Sequence, residues 1–251
     1  MFGKKRFKRV ALPLIAVVVG LSMAACTASS QNNGADDISQ TFDAAVSSAL
    51  LSDEIKGQYA EGECAAEGHI ILGSEETADG VVKVYALTMT GNYGFINDNF
   101  EKVSGTGIIP AVITLREQAG SYESEGIEFP LDGSLYAGSV KEMFPAQYVE
   151  RAMKQDDADR TELQQQESAY AAAYLKKIGR EAAIGDHRDF EHVLLTELGV
   201  SVEASNRIVE MKELGDYPYW VGTQEYLRDG VRYIYSMERI EIDALTGERC
   251  N

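Results

Sequence analysis

The chain has 251 residues, of which 23 are Lys or Arg and 40 are Asp or Glu, so its formal net charge is −17. Five of the basic residues lie within the first nine positions, which leaves 18 basic and 40 acidic side chains, a balance of −22, in the rest of the chain. A surface this acidic repels the phosphates of nucleic acids and of anionic lipids, so we expect no nucleic-acid partner. The acidic residues are scattered, without the fixed offsets of a calcium-binding loop.

The N-terminal segment has the features of a lipoprotein signal peptide. The basic residues 1–9 precede an apolar run, residues 10–25, which Pro13 and Gly20 interrupt. This run is shorter than the roughly 20 apolar residues of a membrane-spanning helix, and it ends in small residues that suit a signal peptidase. Cys26 follows directly, and we predict that its thiol carries a diacylglyceryl group of the palmitate type.

Two alternatives remain for this segment, namely a plain transmembrane anchor and a secretory signal with an incidental cysteine. Met23 is a less usual residue than Leu at its position in a lipobox. Residues 26–35 are small and polar, which is typical of a flexible tether. We therefore predict a signal peptide over 1–25, a tether over 26–35 and one extracytoplasmic domain over 36–251, with a helical lobe from about residue 145. The expected location is the outer face of the bacterial cytoplasmic membrane, or the outer membrane if the cell has one.

Cys64 and Cys250 are the two cysteines that remain after Cys26. An even pair in an exported protein suggests one disulfide, and the alternative is two unlinked thiols. A bridge requires the two Cα atoms to lie within about 7 Å of each other.

Hydrophobic periodicity predicts a helix at the start of the domain and then a set of strands. The helix begins near Asp36 and ends near Gly57. The predicted strands cover 67–74, 81–89, 100–104 with a continuation at 110–117 after a glycine-rich bend, and 122–129, and a loop is predicted over 91–99. Neighbouring strands joined by short turns indicate an antiparallel meander.

The second half of the chain is predicted to be mainly helical, with a hairpin at its end. The predicted helices cover 140–144, 147–154, 159–178, 187–198 and 202–213. Asp229-Gly230 between β-rich segments is a strong hairpin signal, which predicts strands over 219–227 and 231–242. The fold class is therefore α+β: an antiparallel β-meander with an N-terminal helix, followed by a helical segment and a C-terminal β-hairpin.

The sequence offers little evidence of catalysis. His187 and His192 are five residues apart, and on the predicted helix they lie roughly 140° apart, so they cannot share one metal ion from one helix face. We therefore expect no metal ion and no cofactor. No Gly-x-Ser-x-Gly or Ser-x-x-Lys motif is present. The glycine-rich residues 104–107 lie between strand segments, which favours a sheet bend over a phosphate site.

Five residues form a candidate binding surface: Glu67, His69, Ser104, Asp132 and Trp220. His69 is expected to be a hydrogen-bonded structural histidine. Trp220 is expected to pack the hairpin on the domain core, and the alternative is that it lines a groove for a ligand or partner. The test is whether these residues converge on one pocket, and a shared site is ruled out if they lie on separate faces of the domain. The alternative to a binding module is a cell-envelope hydrolase that uses Glu67 with Asp132 as an acid–base pair.

Several segments of the chain together suggest a family. These segments are Glu67–Gly73, Val84–Leu87, Tyr93–Phe95, Val103–Gly105, Ile109–Thr114, Asp132–Ser134, Val140–Pro145 and Tyr217–Glu225. They resemble the extracytoplasmic C-terminal region of regulatory membrane metallopeptidases of the beta-lactam-sensor type, over roughly residues 38–235. The peptidase half of that family, with its spans and its His-Glu-x-x-His helix, has no counterpart here, so the resemblance implies no catalytic residue. It implies a non-enzymatic sensory or accessory module, with the membrane and a membrane-bound regulatory protein as partners.

Overall fold

The computed structural model describes residues 35–56, 59, 62–77, 80–209, 220–238 and 240–249. Its helices are α1 (Ala35–Leu50), α2 (Asp53–Lys56), α3 (Tyr136–Met143), α4 (Ala146–Met153), α5 (Asp157–Ile178) and α6 (Val202–Val209). Its strands are β1 (Cys64–Glu76), β2 (Val81–Ile96), β3 (Asn99–Gly105), β4 (Ile109–Gln118), β5 (Ser121–Glu128), β6 (Ile184–Asp186), β7 (Gly222–Arg228) and β8 (Val231–Met237). Short 3-10 turns occur at Gly133–Leu135 and at His187–Asp189.

Strand β2 is the centre of a mostly antiparallel sheet of eight strands. Strand β1 pairs along one edge of β2, while β4 and β3 share the other edge, β4 along the first half of β2 and β3 along the second. Strand β5 extends the sheet beyond β4, and β6 extends it beyond β3 in parallel orientation. Strand β7 touches the end of β2 at one residue pair and forms a hairpin with β8. The predicted meander is therefore only partly right, because β4 returns to β2 and does not pair with β3.

The prediction of a loop over 91–99 is wrong, because β2 continues through these positions as far as Ile96. The chain reverses only at Asn97 and Asp98, whose φ angles are positive, as tight hairpin turns require. Position 91, inside β2, is a glycine because a Cβ there would lie only 2.7 Å from Lys102 Cε. A glycine within a strand thus marks a close approach of another group, and it does not end the strand.

The predicted helix over 187–198 is also wrong. The backbone of residues 184–186 is used for pairing with β3, and the 3-10 turn that follows begins with a capping box between Asp186 and Asp189. The N-terminal helix ends at Leu50, earlier than predicted, and α2 is separate from it. Helix α5 is confirmed, and it ends at Gly179 in the left-handed conformation with a φ of 68°.

The core is divided between the two faces of the sheet. Helix α1 packs on one face, where Val84 and Ile113 are fully buried. Helices α3 and α4 pack on the other face against Tyr85 and Val112. Successive residues of a strand point to opposite faces, which explains why neighbours in sequence belong to different clusters. Helix α5 packs near β1 and the far end of β2, in a third cluster that includes Phe100.

The predicted signal peptide, with Cys26 and residues 26–34 of the predicted tether, lies outside the described residues, as do Cys250 and residues 210–219. The last residue of the predicted tether, Ala35, is the first residue of α1. Among the described residues, no helix is both long enough and apolar enough to cross a membrane.

Candidate functional site

The site with the most unusual chemistry is formed by Glu101 and two histidines. Glu101 lies on β3, and its side chain is fully buried. Its carboxylate Oε2 lies 2.9 Å from His187 Nδ1 and 3.0 Å from His192 Nε2. The second oxygen, Oε1, lies 3.2 Å from His192 Nε2. The two imidazoles therefore meet at one buried carboxylate.

Sheet pairing brings these three side chains together. Strand β6 pairs with β3 in parallel, which places Gly185 opposite Glu101. The 3-10 turn starts directly after β6, so His187 follows Gly185 by two residues and lies beside the carboxylate. A side chain at Gly185 would meet the ring of Phe190 at 3.0 Å, which shows how closely the following loop folds over this strand. The loop then brings His192 against the same carboxylate.

Trp220 packs against both histidines. The two imidazole rings stack with their centroids 3.8 Å apart and their planes at 24°. The indole ring lies 5.0 Å from the ring of His187 and 5.1 Å from that of His192. A β-bridge between Leu194 and Trp220, with a backbone hydrogen bond from Val221 to Val193, holds the indole in place.

Burial dominates the electrostatic setting of Glu101. Burial raises the pKa of Glu101 to about 7, against a hydrogen bond from Asn99 that lowers it. Burial also lowers the pKa of His187 and that of His192, which favours their neutral forms. Within the described part of the chain, the ion-pair partners of Glu101 are these two histidines, and no Lys or Arg pairs with it.

Two other buried carboxylates have Lys or Arg partners. Glu167 on α5 pairs with Lys102 on β3 at 2.8 Å. Glu225 on β7 accepts hydrogen bonds from Arg180 at 2.6 and 2.9 Å, and from Arg232 on β8 at 2.7 Å. A buried charge is costly unless a counter-charge or several hydrogen bonds compensate it. Glu101 therefore stands apart from these pairs.

Two of the five residues predicted as a binding surface, Glu67 and His69, do lie together. Glu67 accepts hydrogen bonds from Ser47 on α1 at 2.7 Å and from Tyr170 on α5 at 2.9 Å. Its other oxygen lies 3.0 Å from His69 Nδ1, and His69 Nε2 lies 3.2 Å from Asp43. The hydrogen bonds from its partners lower the pKa of Glu67, although burial alone would raise it. The two residues thus form a buried network that joins α1, β1 and α5.

The other three predicted residues lie in different surroundings. Trp220 contacts His187 and His192, as described above. The Ser104 hydroxyl accepts a hydrogen bond from the side chain of Asn92 on the neighbouring strand at 3.3 Å. Asp132 is exposed at the start of a 3-10 turn. The five residues therefore belong to at least three environments, and the structure does not bring them together in one pocket.

Glu101 is the site residue that the sequence analysis missed. It is separated from His187 by 86 residues and from His192 by 91, and its own strand carries no motif that marks it. His187 and His192 would lie on different sides of a helix over 187–198, but the structure has no α-helix there. The two histidines instead share one side of an irregular loop.

Cys64, on β1, is buried, with its sulfur 3.8 Å from the backbone oxygen of Tyr170. Burial raises the pKa of the Cys64 thiol to about 11. Because Cys250 lies outside the described residues, the disulfide between the two stays a prediction.

No protein-family model, no curated protein and no solved structure matches the chain.

Proposed function

We propose that this protein is a lipid-anchored extracytoplasmic binding module, without enzymatic activity, that works beside a membrane-bound regulatory protein. The site formed by Glu101, His187, His192 and Trp220 is its ligand-binding surface. The observation that carries this proposal is a fully buried carboxylate, paired with no Lys or Arg of the described residues, that meets two imidazoles of which one is open to solvent.

The arrangement of the other candidate residues favours binding over hydrolysis. A general base needs a free position from which to take a proton. Both ring nitrogens of His69 face carboxylates, those of Glu67 and Asp43. Glu67 is buried by its partners, while Asp132 is exposed on a turn, so the acid–base pair of the hydrolase alternative has no support.

The anchor is supported by the sequence before the folded domain. A basic segment, a short apolar run, small residues and then Cys26 occur in the order that lipoprotein processing requires. The resemblance to the ectodomain of regulatory membrane metallopeptidases supports a sensory or accessory role. A tethered domain meets its partner in the plane of the membrane, which raises their effective concentration.

The anchor is tested by changing Cys26 to Ser. In cells that process the wild-type protein, we expect the variant either to leave the membrane fraction or to keep its signal peptide, because no thiol is present to accept the lipid. Cys64→Ala is the matched control, since it removes a thiol from the folded domain and leaves the lipidation position intact. Labelled palmitate should enter the wild type and the control, and it should not enter the Cys26→Ser variant.

Two outcomes would contradict the proposal. A Cys26→Ser variant that is processed and stays with the membrane would show that the lipid is not the anchor. Resistance of the wild-type domain to protease added to cells stripped of their wall would show that it does not face the outside.

A further inference from the structure

We propose that Glu101, His187 and His192 bind a divalent transition-metal ion of the zinc class. The inference rests on the proposed binding function and deepens it by naming the ligand. Two imidazole nitrogens and one carboxylate oxygen are a ligand set found in zinc sites and in other divalent transition-metal sites. The donor atoms of the three side chains all lie within 4.8 Å of one another.

The distances require only a small adjustment to receive an ion. Zinc binds nitrogen and oxygen ligands at about 2.0–2.2 Å, so two ligands in a tetrahedral site lie roughly 3.4 Å apart. The Glu101 oxygen lies 2.9 Å from His187 Nδ1 and 3.0 Å from His192 Nε2. To reach that separation, His187 Nδ1 would move away from the oxygen by about 0.5 Å and His192 Nε2 by about 0.4 Å.

One ring must also turn. A ligating imidazole holds its metal close to the ring plane, and the two rings here are nearly parallel, at 24°. His187 is the ring that is free to turn, because its side chain is 42% exposed and it stands on a turn of three residues. His192 is held more firmly, since its side chain is 8% exposed and its ring hydrogen-bonds to the backbone at Phe190. Such a backbone contact is how proteins orient a ligating histidine.

A metal cation supplies the charge that the surroundings of Glu101 lack. The carboxylate is fully buried, and its described hydrogen-bond partners are two imidazoles and Asn99. A divalent ion placed between the three donors would compensate the buried negative charge. The net charge of the chain, −17, also attracts cations to the surface from which the site is reached.

The ligand set selects among divalent ions. Calcium and magnesium prefer six or more oxygen ligands, and this site offers one carboxylate. Imidazole nitrogens suit zinc, cobalt, nickel and copper. Three protein ligands leave a coordination position for water or for a group from another molecule, which is the arrangement of an open site.

The chain contains its own reporter of metal binding. Trp220 is the single tryptophan, and its ring lies about 5 Å from both imidazoles. Paramagnetic Co²⁺ at this site should quench the fluorescence of the full mature protein, purified in detergent, with saturation at one ion per chain. Diamagnetic Zn²⁺ should compete with Co²⁺ and restore the emission, and it should raise the melting temperature because it binds only the folded state.

Two ligand variants and one control test the assignment. His187→Ala and Glu101→Gln should each weaken Co²⁺ binding by more than the 10–100-fold that loss of an outer contact costs, because each removes a direct ligand. Glu123→Gln removes an exposed carboxylate from β5 and should bind Co²⁺ like the wild type. His187→Ala alters a partly exposed side chain, so its circular dichroism should match that of the wild type.

Either of two results would overturn the inference. The first is a wild-type protein whose fluorescence Co²⁺ quenches only weakly and without saturation. The second is a folded His187→Ala variant that binds Co²⁺ with wild-type affinity. Because this assay uses purified protein, its failure would leave the anchored module standing with another ligand, whereas failure of the Cys26→Ser test would leave the metal site standing without the anchor.

Discussion

The ion pair between Lys102 and Glu167 gives the sharpest prediction about stability. Lys102 Nζ lies 2.8 and 3.0 Å from the two Glu167 oxygens and 3.0 Å from the backbone oxygen of Thr106. The Glu167 side chain is 1% exposed, so Lys102→Met would leave a buried carboxylate without its cation. Methionine keeps most of the length of the lysine stem, which still packs beside Gly91.

The expected loss of unfolding free energy at pH 7 is at least about 1.4 kcal/mol. Burial already raises the pKa of Glu167 from 4.5 to about 6 in the presence of Lys102, whose charge lowers it. Without Lys102, Glu167 would take up a proton at neutral pH. Holding a proton at pH 7 on a group with an ordinary pKa of 4.5 costs about 3.4 kcal/mol, at about 1.4 kcal/mol per pH unit. The wild type, whose Glu167 has a pKa of about 6, already bears about 2 kcal/mol of this cost, so the proton uptake alone destabilises the variant by about 1.4 kcal/mol. Loss of one partner from a buried pair typically costs about 3–5 kcal/mol.

The pH dependence of this loss of stability follows from the upward direction of the shift in the pKa of Glu167. A carboxyl group whose pKa is raised in the folded state favours folding below its ordinary pKa, and that contribution is lost as the pH rises. In the wild type this loss falls between about pH 4.5 and 6. In Lys102→Met it should continue beyond pH 7. The difference in unfolding free energy between the two proteins should therefore be small near pH 4.5 and grow toward pH 7.

Urea unfolding at several pH values measures this difference. Lys154→Met is the matched control, because Lys154 pairs with Glu150 on the surface of α4, and screening by solvent should leave its unfolding midpoint unchanged. The double variant Lys102→Met with Glu167→Leu should recover much of the loss, since it removes the buried charge itself. The reasoning is refuted if Lys102→Met costs no more than Lys154→Met at pH 7, or if its cost does not vary with pH.

Three further predictions concern an aromatic ring, the Cys64 thiol and the bridge to Cys250. Trp220→Ala should lower the free energy of unfolding by about 1–2 kcal/mol, because the indole is only partly buried and packs on imidazoles. Phe100→Ala removes a fully buried ring and should lower it by about 3–5 kcal/mol. Equal shifts of the two variants in urea unfolding would show that Trp220 belongs to the core. The Cys64 thiol, with its pKa raised to about 11, should resist iodoacetamide at pH 8 in the native protein, and rapid labelling there would contradict its burial. Counting thiols in the denatured, unreduced protein tests the bridge to Cys250, which two free thiols would exclude.

The sequence by itself determined the elements whose signals are local. Helix α5 was predicted from its apolar spacing, and Gly179 ends it because glycine adopts a positive φ without strain. The turn at Asp229 and Gly230 was predicted from the same kind of preference, and both residues have positive φ angles. The start of α5 was predicted late by two residues, although the capping box of Asp156 with Asp159 is readable in the sequence.

Only the tertiary structure decided which strands lie side by side. Strands β3 and β4 were predicted as one interrupted strand, and their residues are indeed extended, but they pair with different halves of β2. An alternating pattern shows which face of a strand is buried, and it does not show which neighbour the strand has. The glycine at position 91 likewise signals a turn in isolation, and it stays in β2 because Lys102 crosses there on the way to Glu167.

The candidate site shows the same division most clearly. Each of its residues has an ordinary local sequence, and the angular argument that separated His187 from His192 was sound for a helix. Parallel pairing of β6 with β3 replaced that helix with a turn and set both histidines over Glu101, about 90 residues away along the chain. The conformational propensity of a residue reflects its interactions with residues a few positions away in the chain. Which distant strands pair is decided by the packing of the whole sheet, and propensity does not predict it. The sequence thus determined the residues available for this site, and the fold alone brought them together.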